Sequence, residues 1–463
     1  MADRGLAYPG RRMTIDTDLA RTVRAAVAAG AGSDDYAAIP VPESYVGAYL
    51  RAEDAETIGK LPRAEKRPSL ALRVGEVPTP ELAPDEVLIA TFASSVNYNT
   101  VWSAIFEPVP TFAFLKRLAK THGYGKRHDI STHVVGSDAC GIVLRTGAAV
   151  SRWKPGDRVL VHPNYVALEE PQGHDDAILD PDQRVWGFEC NFGGMGELCV
   201  ARGDQLMPKP EHLTWEEAAS MPLTNCTAYR MLVSPNGANM QQGDVVLIWG
   251  AGGGLGGYAL QYVLAGGGYP ICVVSSEAKA QKCREAGAEW IIDRSEESYA
   301  FWDPETGQQN PREHLRLGKK IRELSGGRDV DIVFEHPGRD TFGASVFVTR
   351  RGGKVVTCAS TTGFMHEFDN RYLWMFAKTI VGSHLANYRE GWAANELCRA
   401  GRTHPILSRS YPLSEAGQAC DDVHDNAHLG KVGVLCLAGG EGEGVLDDGL
   451  RAQHLPAITR FRT

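Results

Sequence analysis

Val245-Val246-Leu247-Ile248-Trp249-Gly250-Ala251-Gly252-Gly253-Gly254-Leu255-Gly256-Gly257 decides the fold of this chain. A short apolar run passes straight into a glycine cluster, and Tyr258-Ala259-Leu260-Gln261-Tyr262-Val263-Leu264 continues with helical spacing. Strand, tight turn, helix is the order of a dinucleotide-binding unit. Glycine serves where a turn needs unusual backbone angles and where a phosphate must approach the main chain. The free N–H groups of the helix start then face a pyrophosphate. Gly252, Gly254 and Gly257 fit G-x-G-x-x-G, while Gly250, Gly253 and Gly256 give a second register around Leu255. Further strands beginning near Ile271, Trp290, Asp331, Lys354 and Thr379 alternate with helical segments. That alternation predicts a doubly wound parallel sheet, a Rossmann domain over 221–387.

The second strand, Pro270 to Val274, bears on which nucleotide is bound. Its end carries Ser275 and Ser276, with Lys279 and Lys282 beyond, rather than a clear ribose-binding acid. Hydroxyls with a cation suit a 2′-phosphate, which favours NADPH; Glu277 is the objection, as a displaced acid. Lys282 reads better as the solvated face of a helix. His336, at another strand end, either faces the cofactor or packs.

Working outward, the 463 residues suffice for two or three domains. No apolar run is long enough to cross a bilayer, and the first residues lack the apolar core of a secretory signal. Ten scattered cysteines without C-x-x-C point to reduced thiols in the cytoplasm, not to a zinc knuckle or disulfides. A formal charge of −9 argues against nucleic acid as a partner. Residues 1–65 read as a helical extension, with Leu19, Val23 and Val27 on one face between 14 and 30. Short alternating strands follow, such as Glu86 to Ala93, and Lys154 to Val161 after a Pro-Gly-Asp turn. They predict a barrel-like β domain over 66–220, to which 388–437 returns with a final strand at Gly430 to Cys436. Trp215 to Leu232 reads as helical. The Gly/Asp/Glu-rich tail, 438–463, reads as disordered.

A β-barrel followed by a nucleotide-binding α/β domain resembles the medium-chain dehydrogenase/reductase superfamily, with its GroES-like catalytic domain. Zinc-dependent members place Cys and His where this chain has Asn97 and Ser137, and neutral Asn and Ser cannot supply a catalytic zinc site. The expectation is a reductase with no metal. Asn97-Tyr98-Asn99-Thr100-Val101-Trp102, Trp186-Gly187-Phe188-Glu189, Phe334-Glu335-His336-Pro337-Gly338, Asp369-Asn370-Arg371-Tyr372-Leu373-Trp374 and Gly382-Ser383-His384-Leu385-Ala386-Asn387-Tyr388 together resemble crotonyl-CoA carboxylase/reductases. The likeness runs from about residue 15 to residue 437. One departure is Gly252, where the turn commonly has Ser.

The resemblance implies NADPH-dependent reductive carboxylation of a 2-enoyl-CoA with CO2 to an alkylmalonyl-CoA, in primary metabolism or as a polyketide extender unit. It also implies a homodimer or homotetramer. Hydride goes to the β-carbon, and the enolate captures CO2 before water protonates it. Favouring capture a hundredfold needs barriers about 2.7 kcal/mol apart. By the resemblance Asn99 contacts CO2, His384 and Glu189 hold a water, and Phe188 excludes bulk solvent. Asn97, two residues away in the same loop, competes with Asn99 for that role. Outside these motifs a lone His, Glu or Phe is more often structural. Arg371, Arg351 and Lys378, with Arg350, are candidates for the CoA phosphates; the Lys116-Arg117, Lys120, Lys126-Arg127 cluster carries less weight, since charge runs are usually solvated faces. The alternative reading is a plain enoyl-thioester or quinone reductase, which protonates the enolate.

Overall fold

Six parallel strands make the nucleotide-binding sheet, in the order Trp290–Asp293, Tyr269–Val274, Val245–Trp249, Val330–Glu335, Thr349–Thr357, Thr379–Gly382. The computed structural model describes residues 16–121, 123–166 and 175–463. Alternate side chains of each strand leave on opposite faces, and both faces are covered. Val246, Ile248, Cys272 and Val274 pack on one side with Tyr258 and Leu260; Val245, Leu247, Ile271 and Val273 pack on the other with Leu317 and Ile321. Burial on both faces is why these strands are continuous apolar runs. The strand order reverses at Val245–Trp249, so the carboxyl ends of the neighbouring strands splay apart there and leave a crevice.

The second body is built around Glu86–Ser95, a strand buried along its whole length. It pairs antiparallel with Cys140–Thr146, Leu198–Arg202 and Lys431–Leu435, and Leu407–Pro412 extends the sheet beside the last of these. The chain therefore leaves this domain, builds the parallel sheet and comes back. Helix Tyr388–Arg399 packs on helix Pro222–Leu232 at the return.

Three sequence expectations are refined. Residues 1–15, including the start of the expected first helix, lie outside the described residues. Helix Asp18–Ala28 buries Leu19, Ala20 and Val23, but 1–65 is not wholly helical. Ser44–Arg51 is a strand between Arg73–Pro78 and Thr132–Val134, since its burial alternates with near period two. Trp215 to Leu232 is two helices, Trp215–Ala219 and Pro222–Leu232, because Pro222 starts a new first turn.

The tail from Gly439 is ordered, contrary to its composition. Asp447 caps helix Asp448–Ile458, and Ile458 and Phe461 are buried. Two arginines fix it. Arg451 grips Glu217 through bonds of 2.6 and 3.0 Å, and Arg462 reaches Glu216 at 3.0 Å. Both glutamates are buried in helix Trp215–Ala219. Composition counts charges but does not reveal that their partners lie more than two hundred residues upstream. Arg451→Met strands Glu217 without its main counter-charge, and losing one partner of a buried pair costs about 3–5 kcal/mol. The partial exposure of Arg451 lowers the expected loss below that range, to about 2–3 kcal/mol, read as a lower denaturant midpoint. An unchanged midpoint shows that the tail does not clamp the fold.

Candidate active site

The crevice between the two bodies holds about 540 Å³. Gly250, Gly252, Gly253, Gly254 and Leu255 line it from the parallel sheet, with Ser275, Lys279, Arg294 and His336; Asn97, Asn99, Trp102 and Phe188 line it from the barrel, and His384 from the end of the sixth strand. Gly256 lies under the turn rather than on the crevice wall. A Cβ there would stand 2.3 Å from the Gly250 carbonyl oxygen.

The glycine cradle fits a dinucleotide by its geometry. Gly250 has φ +63°, open to glycine at little cost. A Cβ at Gly254 would meet Lys431 Cδ at 2.9 Å, and one at Gly252 would meet Lys279 Cβ at 2.7 Å. The second contact explains why glycine replaces the usual serine here. Helix Gly254–Ala265 begins at the turn and has no side-chain cap, so its first N–H groups are available to a phosphate.

At the second strand's end, Ser276 caps helix Glu277–Glu285, and Lys279 Nζ lies 3.3 Å from Ser275 Oγ and 2.8 Å from Asn426 Oδ1. Burial, reinforced by the charge of Arg294, holds the Lys279 pKa below its ordinary value. Arg294 was missed in the sequence; its position just after the third strand was the available signal. Glu277 is turned to Arg284 at 2.6 Å, and Lys282 pairs with Glu285 at 3.3 Å, as expected of a solvated face. His336 Nε2–H donates to Trp249 O over 2.9 Å. Its pKa is pushed down to about 4 by burial, so the ring is neutral and Nε2–H is the donor to that carbonyl. His336 thus ties two strand ends together while facing the crevice.

On the barrel side Asn97 and Asn99 part company. Asn97 Nδ2 donates to Asp138 Oδ2 at 2.7 Å and to Ser137 Oγ at 3.2 Å, and Oδ1 accepts from Lys431 Nζ at 2.6 Å. Both of its N–H groups are spent. Asn99 Oδ1 accepts from Ser137 Oγ at 3.0 Å, leaving its Nδ2 for the crevice. Lys431 was read only as part of a strand; its link to Asp138 spans 293 residues and leaves no local trace.

Phe188 stands against Phe114 with ring centres 5.8 Å apart. Glu189 accepts from the Val185 N–H at 2.8 Å, and burial raises its carboxyl pKa above the ordinary value. His384 opens onto the crevice, yet the surrounding walls desolvate the imidazole and, with Arg230, lower its pKa. Among the described residues no three His, Cys, Asp or Glu side chains cluster to hold a metal ion.

Arg371, Arg351 and Lys378 are not brought to this crevice. Arg351 and Lys378 sit at the amino ends of the fifth and sixth strands, whose carboxyl ends line the site. Lys378 is spent on the carbonyls of Val346 and Phe347 at 2.7 and 3.1 Å, and Arg351 on that of Met375 at 2.9 Å. Arg371 pairs with Asp369 at 2.6 Å, and Arg350 binds Asp331. Arg117, from the cluster given less weight, shares helix Phe112–Leu118 with Phe114, which stands against Phe188, and its charge acts on Glu189 after that of Arg184.

A GroES-like barrel closed against a Rossmann sheet defines a medium-chain dehydrogenase/reductase. Residues 83–211 match the family model described as alcohol dehydrogenase GroES-like domain, and 254–398 that described as zinc-binding dehydrogenase. Within that superfamily the chain belongs to the crotonyl-CoA carboxylase/reductase family. It is 60% identical to the crotonyl-CoA reductase of Streptomyces collinus over 93% of this chain and 96% of that protein. It is 38% identical to the crotonyl-CoA carboxylase/reductase of Cereibacter sphaeroides, over 80% of this chain and 85% of that one. A solved 2-octenoyl-CoA carboxylase reductase in complex with NADP and 2-octenoyl-CoA superposes with a TM-score of 0.92 at 52% identity, covering 96% of this chain and 99% of that one.

Proposed function

We propose that this chain reduces a 2-enoyl-CoA with NADPH and carboxylates the α-carbon to give an alkylmalonyl-CoA. One observation carries the reading: in a chain of this family, Asn99, Phe188 and His384 share a single crevice with the glycine turn. NADPH, when bound, supplies hydride to the β-carbon of the thioester. The remaining tasks fall to side chains. Ser275, Ser276, Lys279 and Arg294 would take the 2′-phosphate, for which hydroxyls and cations are the suitable donors. Asn99 Nδ2 would donate to a CO2 oxygen, where negative charge grows as the new bond forms. His384, neutral at physiological pH, would hold a water shared with Glu189, and Phe188 would keep bulk solvent from the enolate. Arg117, on the helix whose Phe114 stands against Phe188, would meet a CoA phosphate.

A homodimer or homotetramer is part of the same reading. Thr379–Gly382 ends the sheet with one edge unpaired among the described residues, and exposed Trp374 and Met375 lie close by in sequence. Among the described residues no helix is long and apolar enough to cross a membrane; cytoplasmic residence fits the ten free cysteines.

Three outcomes follow. Asn99→Ala is expected to lower the ratio of alkylmalonyl-CoA to reduced acyl-CoA about tenfold, the worth of one hydrogen bond to growing charge. Mass spectrometry of products made with labelled bicarbonate measures it, and a wild-type ratio would leave only an enoyl-thioester reductase. Lys279→Ala is expected to narrow the preference for NADPH over NADH about ten- to hundredfold, since a charged hydrogen bond to the 2′-phosphate is lost; equal losses for both cofactors would place the phosphate elsewhere. The third concerns pH. Burial and the charge of Arg230 hold the His384 pKa below its ordinary value, so the ring gains its proton at a lower pH than a free imidazole does. At constant dissolved CO2 the carboxylated share should therefore fall on acidification with a midpoint below that of a free imidazole. A midpoint above 7 contradicts the role given to His384.

A further inference from the structure

We propose that Lys431, Asp138, Asn97 and Ser137 form a positioning relay that imposes one amide orientation on Asn99. The inference rests on the reading of Asn99 as the donor to CO2. A primary amide can turn end for end at little steric cost, presenting either N–H groups or a carbonyl oxygen to the crevice. Only the first suits CO2, whose oxygens gain negative charge. Something must choose between them.

The choice starts from two groups with one possible hydrogen-bonding sense each. Lys431 Nζ only donates: it reaches Val96 O at 3.0 Å, Asn97 Oδ1 at 2.6 Å and Asp138 Oδ2 at 3.0 Å. The Asp138 carboxylate, paired with Lys431, only accepts: besides Lys431 it takes Ser95 Oγ at 2.6 Å and Asn97 Nδ2 at 2.7 Å on Oδ2, and the Leu223 N–H at 2.8 Å on Oδ1. Asn97 lies between a pure donor and a pure acceptor, so its own amide has one permitted orientation. Its second N–H then points to Ser137 Oγ at 3.2 Å, which accepts. The Ser137 hydrogen is left for Asn99 Oδ1 at 3.0 Å, and Thr100 Oγ1 adds a longer contact at 3.5 Å. With Oδ1 held from behind, Nδ2 faces the crevice. Asp138, Ser137 and Lys431 are all buried, so water does not compete for these bonds. The relay fixes a sense of hydrogen bonding; it touches no reacting atom.

The test is a double-mutant cycle read on product ratio, alkylmalonyl-CoA against reduced acyl-CoA. The ratio is set within each turnover, so it does not depend on how much enzyme is correctly folded. Ser137→Ala is expected to lower the ratio about three- to tenfold, the scale of one neutral hydrogen bond. In an Asn99→Ala background it is expected to lower it no further. Ser137→Cys, a weaker donor, serves as the second variant if the alanine protein does not accumulate, and should move the ratio the same way. Equal losses in the wild-type and Asn99→Ala backgrounds overturn the relay, because Ser137 would then act without Asn99. A wild-type ratio in Ser137→Ala, with a lowered one in Asn99→Ala, overturns the relay alone. A wild-type ratio in Asn99→Ala overturns the CO2 reading on which the relay rests.

Discussion

The pairing of Lys431 with Asp138 is the constraint around which the site is arranged. An ammonium and a carboxylate buried together are expensive to desolvate and hold only if their remaining hydrogen-bonding capacity is met. Here it is met by Val96, Asn97, Ser95 and Leu223, which come from the loop after the central barrel strand and from the start of helix Pro222–Leu232. Burial lowers the Lys431 pKa, and the charge of Asp138 opposes that shift. The same lysine presses its stem against Gly254, and Gly430 N bonds to Gly252 O at 3.0 Å. One residue of the last strand thus sets the catalytic loop and the glycine turn against each other.

That arrangement explains why the turn is built of glycine and the facing barrel loop of neutral side chains. Side chains at Gly252 or Gly254 would strike Lys279 or Lys431. In the place of metal-binding Cys and His stand Asn97 and Ser137, which carry hydrogen bonds from the buried pair to the crevice wall. On the proposed reading, stabilising a developing charge there would fall to the fixed dipole of Asn99. Of the residues proposed to manage CO2 and water, Glu189 is braced by the Val185 N–H and Asn99 by the Ser137 hydroxyl.

How much of this could be read from the residues follows from how local each signal is. The parallel sheet was legible because its first two strands, Val245–Trp249 and Tyr269–Val274, are buried apolar runs that end on a glycine and a serine. The choice between Asn97 and Asn99 was not, since two asparagines in one loop differ only in partners that lie far along the chain. Lys431 and Arg294 gave no motif. The tail misled because Gly, Asp and Glu are also the composition of disorder, and only the buried Glu216 and Glu217 distinguish the two cases. Arg371, Arg351 and Lys378 misled in the opposite way: their positive charge was visible, but not that nearby carbonyls and a carboxylate already absorb it.

The separation of Asp138 from Lys431 also bears on how the protein is made. With 293 residues between them, a ribosome working at about 5–20 residues per second delivers the lysine roughly 15–60 s after the aspartate. Over that interval Asp138 has no lysine to meet it. The buried pair, and the ordering of the loop around it, can therefore be completed only once the final strand emerges.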